Sequence, residues 1–460
     1  MTTIEYHVQT KTAPGPQSNY FTGNLRDLQR NQLRFFLHLR RAYGDVARFR
    51  ILGSVYMHMI FHPEGIEHVL RRNNQNYQRG TVHERFGSLL GHGLLTSDGS
   101  FWLRQRRLAQ PAFHRQRIAA LAPIMTGATE SMMKRWHTFA QHGQAFDVSP
   151  EMMRLTLQIV AKALFNVDAE KEADALGPAF TIALDQINYS FSHVMLPEWV
   201  PTPRNRRYLK AVQILDKMVY DIIESRRREE KDIGDLLSMF MLARDEETGE
   251  QMNDKQLRDE VMTMILAGHE TSANALAWTW YLLSQNPDVE EKLHAELDSV
   301  LGGRVPTIAD LPRLPYTKMV IDETLRLYPP APGVSRKSVA DDEIGGYHIP
   351  AGSEIAVSEY VTHRHPDFWE QPEDFDPERF TPQRSAGRPH FAYFPFGGGP
   401  HLCIGNNFAL MEAQLILATI AQVYQLRMAP RHPPVIPEPL VTLRPRNGIL
   451  MTVQKRSSRG

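Results

Sequence analysis

A single cysteine, Cys403, stands among 460 residues, and its setting gives it chemistry. It lies near the end of the run Phe396-Gly-Gly-Gly-Pro-His-Leu-Cys403-Ile-Gly405. Glycines let backbone approach a ligand closely, and a long helical pattern over 404–423 starts directly behind the thiol. A thiol at a helix N-terminus meets unpaired backbone N–H groups and the positive end of the dipole, which lower its pKa. Such a thiolate can hold a soft metal or a haem iron. Zinc fits poorly, because zinc sites take several ligands and no second Cys exists. Without this context a lone Cys reads as a small buried apolar residue.

A second set lies in Ala267-Gly-His-Glu270-Thr271-Ser272. On a helix, Met264, Ala267, Gly268 and Thr271 share one face. Ala and Gly leave room there for a flat ligand and a bound diatomic, and Thr271 adds a hydroxyl that can donate a hydrogen bond to bound oxygen. Glu270 is adjacent and can relay protons from solvent. His269 falls off this face and reads as a structural or solvent-side residue. Two further pairs have helical spacing. Glu323 and Arg326, at i and i+3, can pair on one face. Trp102 and Arg106, at i and i+4, can both reach a carboxylate. Each has a plainer reading: a buried helix with a satisfied Thr, a surface ion pair, a core Trp beside a solvated Arg.

The elements that must carry these residues are mostly helical. Residues 1–24 read as an extended lead-in rich in Gly, Pro, Ser and Asn. Residues 33–43 have helical periodicity, and 46–51 with 55–61 read as a hairpin around Gly53-Ser54. From 100 to about 228 most windows are helical, with breaks at 147–150 and 197–203. A helix-rich middle follows, ending at Gly302-Gly303. Beyond Pro329, Pro and Gly multiply and short strands appear at 334–339, 347–349 and 355–360. The pattern over 441–443 and 449–453 predicts a terminal hairpin around Arg446-Asn447-Gly448. The expected fold is mainly α with a minor β part, a single large domain over 1–460. Lys+Arg and Asp+Glu are both 52, which argues against nucleic acid or a charged membrane as the dominant partner. No secretory signal opens the chain and no apolar run reaches the ~18–20 residues of a transmembrane anchor, so a cytoplasmic protein is expected.

The cysteine block closely resembles the haem-ligand signature of the cytochrome P450 family, at Phe396, Gly399, Cys403 and Gly405. The family usually places Arg two residues before the Cys; this chain has His401, as some members do. Four further blocks follow the family's order. Glu323-Thr-Leu-Arg326 resembles its E-x-x-R motif, and Arg379 of Pro377-Glu-Arg379-Phe380 would join that pair behind the haem as structural support. Trp102-Leu-Arg-Gln-Arg106 resembles the W-x-x-x-R beside the haem, and 267–272 its oxygen-activating block. The resemblance implies haem b (iron protoporphyrin IX), with Cys403 as iron ligand and Trp102, Arg106, Arg336 and His401 toward the propionates. Ala267 would lie against the ring, and Thr271 and Glu270 would deliver protons. It also implies a monooxygenase cycle using O2. Peroxide-dependent members typically lack the acid–alcohol pair that is intact here. A peroxygenase or isomerase on the same fold, or a non-catalytic haem-binding sensor, are the rival readings.

The resemblance further implies a P450 fold without a fused reductase. Electrons would come from a separate ferredoxin or flavodoxin with an NAD(P)H reductase, docking on a monomer. Arg104, Arg107, Arg115 and Arg117 are candidates for that docking face. By analogy, Met264, Ala267, Val334, Leu440 and Val441 would touch an apolar small-molecule substrate, under a roof drawn from 180–194. The overall pattern looks closest to the branch containing fatty-acid hydroxylases. Ser54 and His58, however, stand where a well-known group of that branch holds the fatty-acid carboxylate with Arg and Tyr. Fatty acids, terpenoids, steroids and polyketide-like compounds all stay open.

Overall fold

The computed structural model describes residues 11–166, 169–192, 195–229, 234–245 and 247–456. They form two compact units: residues 1–82, 332–372 and 387–403 make up the smaller, and 83–331, 373–386 and 404–460 the larger.

The smaller unit is built on a five-stranded sheet. β-Branched, aromatic and other apolar residues dominate β1 (Val46–Leu52) and β2 (Val55–Ile60), and β2 runs from an exposed start at Val55 into the core at His58–Ile60. The two pair antiparallel from Val46↔Ile60 to Leu52↔Val55. Gly53 supplies the positive φ of the turn. With β3 (Tyr77–Arg79), β4 (Val334–Ser338) and β5 (Glu354–Val357) the strand order is β1-β2-β5-β4-β3. Val46, Ile60, Ile66, Leu70, Tyr77, Ile355, Phe391 and Phe394 belong to the core on which it rests. Two expectations need correction. The strand expected over 355–360 stops at Val357, because the Ser358 hydroxyl accepts the Val361 N–H at 3.3 Å and caps a short helix, Glu359–Thr362. Within the expected lead-in, Lys11–Thr12 is a strand, parallel to Tyr347–Ile349; residues 1–10 lie outside those described.

The larger unit is helical. Its relevant helices are α1 (Gly99–Ala109), α2 (Val148–Phe165), α3 (Ala169–Ser192), α4 (Asp254–Gln285), α5 (Pro315–Leu327) and α6 (Asn406–Ala421). The expected break before α2 is where Asp147 accepts the Ser149 N–H at 3.0 Å and caps the helix. A capping box starts α4: Asn253 accepts the Gln256 N–H at 2.9 Å, and Gln256 accepts the Asn253 N–H at 3.0 Å. Helix α4 lies against α2, with the Thr156 hydroxyl donating to the His269 carbonyl at 2.9 Å.

The expected terminal hairpin does not form. Leu443–Pro445 pairs with Pro437–Pro439, while Leu450–Lys455 pairs with Tyr424–Met428 and Phe146–Asp147. The turn at 446–448 therefore links two different sheets. Asp147 holds it there by accepting the Ile449 N–H at 2.9 Å. Gly448, at φ +67°, leaves no room for a Cβ, which would fall 1.9 Å from Asp147 Oδ2. Among the described residues no helix is long and apolar enough to cross a membrane.

Candidate active site

In the smaller unit, Cys403 is exposed at the end of the glycine loop, and its N–H donates to the Phe396 carbonyl at 3.0 Å. Gly399 shows why the loop needs glycine. Its φ is +66°, and a Cβ there would sit 1.8 Å from the Leu70 carbonyl oxygen. Phe396 is half-buried. Two residues before the Cys, His401 Nδ1 lies 3.2 Å from Arg79 Nη2. Arg79 on β3 stands directly opposite Arg336 on β4, which is buried and donates to the Ser335 carbonyl at 2.8 Å. Two guanidinium groups side by side repel unless an anion lies between them. Arg79 escaped the sequence reading because only strand register brings it to Arg336. Glu359 also senses the Arg336 charge, yet burial pushes its carboxyl up to about 8. Val334, half-buried, starts β4 and packs on the core.

Ser54 and His58 lie in the same unit. Ser54 is exposed in the β1–β2 turn. His58 is buried, and burial, with the Arg48 charge, pulls its imidazole down to about 4. A neutral imidazole gives a carboxylate no counter-charge.

In the larger unit, α4 is buried from Leu257 to Leu283 except at Ala267, Gly268, Thr271 and Tyr281. Gly268 has a packing reason: a Cβ would lie 3.1 Å from the Val160 side chain on α2. The glycine thus serves the packing of α4 on α2. Ala267 and Thr271, one turn apart, remain as a bare face with one hydroxyl. The Thr271 hydroxyl donates to the Ala267 carbonyl at 2.7 Å. His269 is buried, not solvent-side: Nδ1 lies 2.8 Å from the Ile265 carbonyl oxygen, and the ring packs on Phe180 with centroids 5.5 Å apart. Met264 is buried.

Glu270, expected to relay protons, is buried at 4% exposure. Burial pushes its carboxyl upward, toward the neutral form. The Thr442 hydroxyl donates to Glu270 Oε1 at 2.7 Å, and the Asn274 amide donates to that hydroxyl at 2.9 Å. Glu270 Oε2 is buried without a hydrogen bond among the described residues. Next to Thr442, the Val441 N–H donates to Asn188 Oδ1 at 2.7 Å, and Leu440 and Val441 are half-buried. Thr442 and Asn188 carried no spacing signal, since they meet α4 and the 440–442 segment only through the fold. In the expected roof, Ala183, Leu184 and Ile187 are buried; residues 193–194 lie outside those described.

Trp102 is buried on α1 and Arg106 half-buried one turn on. Glu260 of α4 fixes this helix and the preceding loop, accepting Gln105 Nε2 at 3.0 Å and the Leu94 N–H at 3.1 Å. On α5, Glu323 and Arg326 form a fully buried two-pronged ion pair at 2.6 and 2.7 Å. Arg379 Nε lies 3.3 Å from Glu323 Oε1, and Arg326 also donates to the Asp374 carbonyl at 3.0 Å. Gly405 is the N-cap of α6 at an ordinary φ of −89°.

Two of the proposed docking arginines are neutralised. Arg107 pairs with Asp245 at 3.0 Å and with Glu247, and Arg104 with Glu250 at 3.2 Å. Arg115 and Arg117 are exposed.

These residues fit an iron porphyrin. In the smaller unit the thiol is exposed on a loop shaped by glycine, and Arg79 lies beside both His401 and Arg336; in the larger unit α4 bares Ala267, Gly268 and Thr271. The cytochrome P450 family profile matches residues 13–452. The chain is 39% identical over 426 residues to cyclooctat-9-en-7-ol 5-monooxygenase of Streptomyces melanosporofaciens, covering 92% of this chain and 90% of that one. It is 34% identical over 423 residues to pentalenene oxygenase of Streptomyces avermitilis, covering 91% and 92%. The crystal structure of the cytochrome P450DA heme domain superposes with a TM-score of 0.89 at 29% identity, over 97% of this chain and 98% of that one. The chain belongs to the cytochrome P450 family and is an oxidoreductase of that family.

Proposed function

We propose that this P450 is a haem b monooxygenase that inserts one atom of O2 into a cyclic terpenoid. It would act as a single-domain cytoplasmic monomer, with electrons from a separate ferredoxin or flavodoxin and its NAD(P)H reductase. The observation that carries the reading is the bare face of α4: Ala267 and Thr271 open beside a buried acid, Glu270. The substrate class rests on relatives named for cyclooctat-9-en-7-ol and pentalenene. A neutral, buried His58 and an exposed Ser54 count against a fatty acid, whose carboxylate would have no anchor there.

Cys403 would hold the iron through its thiolate, and Trp102, Arg106, Arg336, His401 and Arg79 would meet the propionates. The bound haem supplies O2 binding and O–O cleavage, which thiolate donation favours. The protein's task is proton delivery. Thr442 donates to Glu270 Oε1, so that oxygen is an acceptor, and in the protonated acid that burial favours the proton would sit on Oε2. Oε2 has no hydrogen bond among the described residues, so the proton is free to leave once a water or hydroxyl reaches it. Thr271 must turn its hydroxyl away from the Ala267 carbonyl to donate toward the bare face. Glu323, Arg326 and Arg379 would hold the surrounding core.

Turnover of a cyclic terpene by the purified holoenzyme tests the reading. Product should require NADPH, O2, a surrogate ferredoxin and its reductase. Equal rates with hydrogen peroxide alone would favour a peroxygenase and contradict it.

A further inference from the structure

Charge cancels over the whole chain but not along it. Between Lys11 and Arg50 stand eight basic residues and only two acids, Asp27 and Asp45. All of this stretch lies in the smaller unit. None of its seven arginines closes an ion pair with a carboxylate among the described residues. Arg40 lies against His365, Arg48 sits 4.7 Å over the Tyr56 ring, and Arg50 donates to backbone carbonyls. Elsewhere in the same unit arginines do pair: Arg71 and Arg72 meet Glu67 at 3.0 and 2.6 Å. The stretch therefore keeps a positive field of its own, with Arg26, Arg30 and Arg34 exposed.

Two aromatic side chains project from the same stretch. Tyr20 is 80% exposed and Phe21 77%, with ring centroids 5.1 Å apart. The turn that carries them is braced. Asn19 Oδ1 accepts the Phe21 and Thr22 N–H groups at 3.0 and 3.2 Å, and Asn19 and Gly23 exchange backbone hydrogen bonds at 3.1 and 3.0 Å. Gly23 has a φ of +56°, and a Cβ there would lie 2.4 Å from the Arg50 carbonyl oxygen. The Arg50 guanidinium donates to the Asn19 carbonyl and, at 3.1 Å, to the Tyr20 carbonyl. Across the β1–β2 hairpin Arg50 stands opposite Tyr56, which is exposed along with Val55. A cation is thus built into the base of a rigid aromatic tip, and the helix Leu25–Arg30 follows it directly with two more.

A single exposed apolar residue means little. Two adjacent ones held at a tip beside unpaired arginines combine the two weak signals that together hold a protein on a bilayer, apolar insertion and attraction to anionic headgroups. A stable protein interface needs a broad complementary face. A protruding turn enters the headgroup layer without one, and aromatic rings favour that depth. We propose that this surface of the smaller unit docks the enzyme reversibly on an anionic lipid bilayer, with Tyr20 and Phe21 in the interface and the arginines on the lipid phosphates. The contact is peripheral, since among the described residues no helix is long and apolar enough to cross a membrane.

The test is co-sedimentation of the holoenzyme with vesicles of phosphatidylcholine alone and of an equal mixture with phosphatidylglycerol. At low salt the wild type should bind the mixed vesicles about a hundredfold more tightly, and the advantage should shrink as salt rises. Arg30→Gln combined with Arg34→Gln should weaken that binding about twentyfold, because each basic residue at an anionic surface contributes about fivefold. Tyr20→Ser combined with Phe21→Ser should weaken it about tenfold or more through the lost apolar insertion. Equal binding to both kinds of vesicle, binding to neither, or undiminished binding by either double variant overturns the proposal. Should a variant fail to fold, amide hydrogen exchange of the wild type decides. Residues 19–34 should be protected on the mixed vesicles, and unchanged exchange there would overturn the assignment.

Discussion

Thr271 carries the hydroxyl of the bare face of α4, and that hydroxyl donates to the Ala267 carbonyl at 2.7 Å. Its neighbours on the helix are held by partners from elsewhere in the chain. Gly268, read as clearance for a ligand, is small because α2 places Val160 against it. His269 faces inward onto Phe180. Helical periodicity assigns a residue to a face, and the partner on that face comes from elsewhere in the chain. If Thr271 delivers protons, Thr271→Ala should release peroxide at the expense of product, with the coupled fraction of NADPH falling by about tenfold or more. Thr271→Ser, which keeps the hydroxyl, should stay well coupled. Peroxide and product measured against NADPH consumed decide this, and unchanged coupling in the alanine variant would remove Thr271 from the relay.

At the scale of elements, short-range patterns read well. The 46–61 hairpin, α4 and the helix behind Cys403 all came from local periodicity, caps and turn glycines. Long-range pairing did not. The strand Tyr424–Met428 claims Leu450–Lys455, and no local feature of 441–453 announces that partner. For the same reason Arg79, Asn188 and Thr442 were invisible as site residues. The Glu323–Arg326 pair was legible as a pair, but its complete burial and its link to Arg379 depend on how 373–386 folds over α5. Removing one member of such a pair leaves a buried charge without its counter-charge. Glu323→Ala should therefore cost about 3–5 kcal/mol and lower haem retention. Urea titration with the haem spectrum as readout would show it, and a midpoint like the wild type's would assign the pair no structural role.

For the whole molecule, 52 basic and 52 acidic residues cancel, so pH sensitivity comes from particular buried groups. Glu412 on α6 is fully buried. The Ser272 hydroxyl is the polar group acting on it, neither carboxyl oxygen closes a hydrogen bond among the described residues, and burial pushes it up to about 8. Its folded pKa lies above its unfolded value of 4.5, so the folded state binds more protons between them. Its contribution to stability is present at low pH and is lost as pH rises through about 8. Glu359 in the smaller unit, also pushed up to about 8, adds in the same direction. Glu412→Gln cannot ionise. Its Tm should fall less than the wild type's between pH 6 and pH 8.5, with the gap widening in the variant's favour. Parallel Tm–pH curves would show that Glu412 does not titrate in that window.

The proposed haem chemistry depends most on Cys403 as the iron ligand. The reduced carbon-monoxide difference spectrum of Cys403→Ala, compared with the wild type, tests it most directly. The wild type should show the red-shifted band of a thiolate-ligated haem, and the variant should lack it even where haem is retained. A Cys403→Ala protein that keeps the red-shifted band would contradict the account.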